Sequence, residues 1–325
     1  MSERVHALAE ETGNDTLMTY ACSLLGVTHC TQGQRALGLE WFRKGIAVCE
    51  RARPDPERPL FLLDPEVAMR SNIAPNLTFM GRFDEAREQL RKAIERADRL
   101  GQPIARMVAH WLVCIFGVIT EDVDTLERHA AKLTEIVRAS GLRQGVGPSC
   151  WLRGAVEVRR GRPEAGYELI MEGFASHASL GMYSGLPAVL SFAAEALSAL
   201  GRHDEADRKM DEAMALTERL DERGIIEVLL VRKSRVVARH GDAAVHACLD
   251  EALRAAGTEG SLGAELLVRV ASAERPQRDA EDLDALAAVY ERVTEGRDMP
   301  LAARARALLA AREAKRDKSR KHPPP

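Results

Sequence analysis

The chain has 325 residues, and at 46% hydrophobic it can build a continuous core, yet only 4% of it is aromatic. Ala, Leu and Val must fill that core, a composition that suits close-packed helices and argues against a β-sandwich. The net charge of −3 supplies no basic excess with which the body could wrap nucleic acid.

In chain order, Met1-Ser2-Glu3-Arg4 lacks the basic and apolar segments of a signal peptide. A helix from Ser2 to Glu11 is expected to cap the array as residues 1–16. Helical pairs are then expected over 17–52, 64–100, 101–140, 141–180, 181–220 and 221–257. A less regular pair follows over 260–296 (Gly260 to Ala273, then Ala280 to Thr294), with a capping helix over 300–315. Residues 316–325, basic and ending in three prolines, read as a disordered tail.

The warrant is a 40-residue grid of turns. Gly81, Gly161, Gly201 and Gly241 lie on it, with Glu121 in the remaining slot. Gly33 joins the series after an eight-residue displacement, the Pro-rich insertion around Arg53-Pro54-Asp55-Pro56-Glu57-Arg58-Pro59. A second grid, half a period out of phase, runs through Gly101, Gly141, Gly181 and Asp221. A fixed period of this size is the mark of a solenoid. In the turn Gly201-Arg202-His203-Asp204, glycine ends one helix in the left-handed region and Asp204 is expected to cap the next.

Seven residues before each turn stand Gly26, Ala74, Cys114, Gly154, Ala194 and Ser234, all small. The second helices answer with Gly38, Ala86 and Ala206, followed by Phe42, Leu90 and Met210, then by Gly45, Ala93 and Ala213. Small, large and small at i, i+4 and i+7 is one helix face packed tightly on another. The expected fold is all-α: a tetratricopeptide (TPR)-like α-solenoid, a right-handed superhelix of about seven hairpins.

The segments Leu63-Asp64-Pro65-Glu66-Val67, Gly81-Arg82-Phe83-Asp84-Glu85-Ala86, Glu195-Ala196-Leu197-Ser198-Ala199-Leu200-Gly201 and Val289-Tyr290-Glu291-Arg292-Val293-Thr294-Glu295-Gly296 carry a resemblance over nearly the whole chain. It resembles the C-terminal TPR region of bacterial STAND-type ATPase regulators, in which a winged-helix or nucleotide cyclase domain accompanies the ATPase. The resemblance implies signal sensing or transcriptional control. The sequence departs from those regulators in having no G-x-x-x-x-G-K-[ST] loop to cradle phosphates.

The chemistry is less legible. The groove position, three residues before each small residue, holds Ser23, Ser71, Trp111, Trp151, Ser191 and Val231. The adjacent indoles read either as a platform for a peptide, helix or aromatic ligand, or as filling for a tightly curled array. Ser71, Val108, Trp111, Trp151, Ser191, Glu195 and Arg235 are the expected ligand- or partner-binding residues. Pro75 should kink its helix and free the carbonyl of Ser71. Glu121-Asp122, Asp124 and Asp204-Glu205 read as helix-start acids, and the alternating Arg and Glu of residues 85–96 as a solvated outer face.

His110 and Cys114 have a spacing that suits a metal, but Cys114 faces the partner helix, so no metal site is expected. No catalytic residues and no cofactor are expected either. The longest apolar run, Met107 to Thr120, is interrupted by His110 and too short to span a bilayer. Six irregularly spaced cysteines give no disulfide framework, so the chain reads as cytoplasmic. The expected function is a non-catalytic scaffold whose concave groove binds a protein or peptide partner, the rest of a regulator, or a second copy of the chain. The alternative is a sensor with a small apolar or aromatic ligand on Trp111 and Trp151.

Overall fold

In the computed structural model every slot of both turn grids has the left-handed backbone, including the two without glycine, Glu121 (φ 54°) and Asp221 (φ 50°). The structure describes residues 2–52, 63–258 and 260–321, with the side chains of 258 and 315–321 not described. The Pro-rich insertion and residues 322–325 lie outside it. Among the described residues there are sixteen α-helices, one 3₁₀ helix and no strand. None of these helices is long and apolar enough to cross a membrane.

Helix α1 (Ser2–Thr12) packs on the first of seven hairpins. These are α2 (Asp15–Thr31) with α3 (Arg35–Ala52), α4 (Pro65–Phe79) with α5 (Phe83–Leu100), and α6 (Pro103–Ile119) with α7 (Val123–Ser140). Next come α8 (Arg143–Arg159) with α9 (Pro163–Ser179), and α10 (Leu186–Ala199) with α11 (His203–Leu220). In the sixth, α12 (Ile226–Val236) runs through η1 (Val237–His240) into α13 (Asp242–Thr258). The seventh joins α14 (Leu262–Ala273) to α15 (Ala280–Arg292). The closing helix α16 (Pro300–Lys321) continues past residue 315, into the stretch read as tail.

The small residues work as expected. Gly26 lies against the Phe42 ring with no room for a Cβ, and a Cβ on Gly154 would stand 2.6 Å from the Gly166 carbonyl. Ala74, Cys114 and Ala194 have no exposed surface, nor do Ala86, Ala93, Ala206 and Ala213 opposite. Two local readings are corrected. Helix α11 starts at His203, so Asp204 lies inside its first turn and Arg202 takes the cap position without a side-chain bond. Glu121 caps nothing; Asp122 does, its Oδ1 accepting from Thr125 N at 3.0 Å, while the Glu121 carboxylate pairs with Arg235 and Arg304.

Those pairs belong to a seam that closes the superhelix on itself. Gly224 N donates to Thr31 O at 2.8 Å, joining the loop before α12 to the end of α2. Arg35 of α3 reaches Gly224 O, Glu227 and Ser261. Gly263 packs on the Thr78 carbonyl at the end of α4, and Gly81 on Leu262. Glu295 accepts from the amides of Asp84 and Glu85. Glu121 meets Arg304 of α16. The first hairpin thus meets the sixth, the second meets the seventh, and the third meets the closing helix. Five repeats make one turn, and the first helices face its interior.

Candidate functional site

The interior holds a partly open cavity of about 750 Å³, within the roughly 300–1,000 Å³ range of small-molecule sites. Its wall is mainly apolar, with Phe42, Phe79, Val108, Ile115, Ile119 and Val228 among the lining residues. Counted back from each turn, the lining falls at thirteen, nine, six and two residues: Val108, Leu112, Ile115 and Ile119 on α6; Val228 and Arg232 on α12; Asn72, Pro75 and Phe79 on α4. That is a helical stripe one residue round from the groove position read from the sequence, which lies ten residues before the turn.

The rotation decides where the expected residues stand. Val108 lines the cavity from the stripe itself, and Trp111 and Trp151 reach it because an indole is long. Ser71 and Ser191, short side chains at the same position as the indoles, have no exposed surface and stand behind the wall. Glu195 and Arg235 also stand behind it, in an ion network where Glu195 binds Arg159 at 3.0 Å and Arg235 at 3.4 Å.

The tryptophans are not a flat open platform. Trp151 is 2% exposed, its ring 5.9 Å from that of Phe192. Trp111 is half-buried, its ring 6.0 Å from that of His177. Among the described residues neither indole Nε1–H has a partner, and neither ring nitrogen of His177 does. Burial pushes His177 below the usual histidine range, so it stands neutral in the wall. Four unpaired polar atoms in one wall are costly, at about 1–3 kcal/mol each.

The remaining polar lining was missed in the sequence. Asn72 and Asn76 each donate Nδ2 to a helix carbonyl at 2.9 Å, and their Oδ1 atoms have no hydrogen-bond partner among the described residues. They flank Pro75, within an α4 that stays one helix from Pro65 to Phe79. Glu222 accepts from Ser184 Oγ at 2.7 Å and from Gly185 N at 2.9 Å, tying down the loop of residues 181–185 with its half-exposed Tyr183. Arg232 lies with Cζ 3.4 Å from the Phe192 centroid. The signal for Asn72 and Arg232 was their spacing, nine residues before a turn and one position round from the groove position; Asn76, five before its turn, and Glu222, in a loop, carried none.

Of the histidine and cysteine groups, His110 pairs with His129 (Nδ1 to Nδ1, 2.9 Å) and His246 with Asp242 (3.0 Å). Among the described residues no group of three His, Cys, Asp or Glu is placed to hold a metal ion. Burial pushes the Cys114 thiol up, far from thiolate.

No family model matches the chain, and no curated protein does. Solved structures do. A Rap protein complexed with Competence and Sporulation Factor is similar over 92% of this chain and 76% of that one, with a TM-score of 0.57 and 11% identity. Aspartyl phosphate phosphatase F from Bacillus subtilis is similar over 91% of this chain and 75% of that one, with a TM-score of 0.51 and 14% identity. At such identities the likeness is one of fold: this chain is a TPR-like helical-repeat protein.

Proposed function

We propose that the chain is a non-catalytic regulatory module whose closed ring senses a small ligand in its cavity and passes occupancy to a protein partner or to the rest of a signalling regulator. The observation that carries this reading is how many hairpins line the cavity. Residues from the first six hairpins share one wall, so a ligand there touches both sides of the seam. Any difference in ligand affinity between a tight and a loosened ring shifts that equilibrium. The complex of the similar Rap protein with Competence and Sporulation Factor supports a sensing role for this fold.

A cavity of about 750 Å³ holds no folded partner. A protein partner is better served by the outside of the first hairpin and its cap, where Leu8 (48%), Leu24 (48%) and Leu37 (40%) are exposed. Intrinsic fluorescence and thermal melts across a panel of metabolites and short peptides test the sensing role. A ligand should change the tryptophan emission and raise Tm by a few degrees at saturating concentration. A panel that leaves both unchanged overturns it.

A further inference from the structure

The cavity wall carries two charged residues, Glu222 and Arg232, and their charges are met unequally. Glu222 is held by Ser184 Oγ and by Gly185 N, which lies 2.9 and 3.1 Å from its two oxygens. Arg232 is 2% exposed. Its Nη1 donates to Ser191 Oγ at 3.0 Å, while Nε stands 3.7 Å from Glu195, beyond hydrogen-bonding distance. Its Nη2 has no hydrogen-bond partner among the described residues.

Glu195 is also drawn away from it. Arg159 and Arg235 share that carboxylate, and Arg235 and Arg304 share Glu121, with Arg304 also bound to Glu274. The joined network sets Arg159, Arg232, Arg235 and Arg304 against Glu121, Glu195 and Glu274: four cations, three anions, one positive charge over. A buried charge short of a counterion is expensive. Burial accordingly pushes Arg232 down to about 9, against the pull of Glu195, and it stays charged at neutral pH.

We propose that the cavity takes a small apolar organic acid, its carboxylate on the free face of Arg232 and its hydrocarbon or aromatic body along Trp111 and the apolar wall. This rests on the cavity being a ligand site, as argued above. A short peptide ending in a carboxylate would meet Arg232 equally well, but it would also bury several backbone amides. The wall offers those amides few free acceptors beyond Oδ1 of Asn72 and Asn76. That shortage favours the small acid.

Calorimetric titration of the full chain with decanoate and with decanol at pH 7 tests the proposal. Decanoate should bind at least about tenfold more tightly, the size of one charge-assisted hydrogen bond. Arg232→Gln should erase that preference while leaving decanol affinity unchanged, which also shows that the variant is folded. Arg232→Lys should keep a preference for the acid, and its result stands if the Gln variant fails to fold. Equal affinity for the two probes, or a preference that survives Arg232→Gln, overturns the acid and leaves the cavity as a neutral-ligand site. A short apolar peptide that binds through its free C-terminus where decanoate does not overturns it in favour of peptide. Binding of neither probe, with no peptide bound, overturns this inference and the cavity reading together.

Discussion

Arg35 and Glu227, 192 residues apart in sequence, form a 2.8 Å ion pair in which neither side chain is more than 2% exposed. Arg35 also lies over the Phe79 ring, 4.5 Å from its centroid, so the first, second and sixth hairpins are tied at one point. Removing one partner strands the other charge in the core. Glu227→Ala should therefore cost about 3–5 kcal/mol in urea unfolding and enlarge the radius of gyration as the seam loosens. Arg35→Met combined with Glu227→Leu should recover most of the loss. A single variant costing under about 1 kcal/mol would mean that backbone contacts hold the seam without the pair.

The hairpins were legible because they rest on local rules: a left-handed turn every 40 residues and a small residue seven before it. The seam was not. Arg35, Glu121 and Glu227 look like ordinary charged surface residues in sequence, and only the curvature of the whole array brings them together. The cavity was half legible for the same reason. The indoles of Trp111 and Trp151 stood out by scarcity, but the lining stripe is set by how far each hairpin rotates on the last, which no single repeat encodes. Arg232 consequently escaped notice beside Val231.

Two turns without glycine separate the contributions of backbone and seam. Both Glu121 and Asp221 sit at positive φ, which costs a residue with a Cβ roughly 1–2 kcal/mol. Asp221 offers little in return, its carboxylate 55% exposed with Arg223 3.1 Å away and a long, exposed bond from Gln32 at 3.4 Å. Asp221→Gly should stabilise the protein by up to about 1 kcal/mol. Glu121→Gly gains the same relief but takes the shared carboxylate from Arg235 and Arg304, leaving them only Glu195 and Glu274, for a net loss of about 1–3 kcal/mol. Thermal melts read both, and shifts of the same sign and size would refute the distinction.

The facing rings of His110 and His129 should make stability depend on pH. Burial pushes His129 down to about 4, with His110 beside it adding to the fall. Burial lowers His110 too, with Asp98 opposing. Each folded value lies below the ordinary 6.5, so the unfolded chain takes up protons first as the pH drops. Stability should be full above about 6.5 and fall from there towards 4. His129→Gln, which keeps a donor and an acceptor, should flatten that slope; a slope equal to wild type would assign it to other groups. Glu121 acts in a separate window. Burial opposes its charge, but Arg235 and Arg304 overcome this and hold it at about 2, so its contribution is lost only below 4.5.

The two cavity indoles should divide structure from sensing. Trp151 is buried against Phe192, over which Arg232 and Arg159 also lie, so Trp151→Ala should cost about 3–5 kcal/mol through the void it leaves. Trp111 is only half-buried, and its free surface lies on the cavity. Its area is still available to a ligand, whereas that of Trp151 is already spent on folding. Trp111→Phe should leave urea unfolding within about 1.5 kcal/mol of wild type and remove most of the ligand-induced change in emission. In Trp151→Phe the emission change should persist. The opposite assignment, with quenching lost only in Trp151→Phe, would place the ligand deeper than the cavity surface seen here and require the Phe192 face to open.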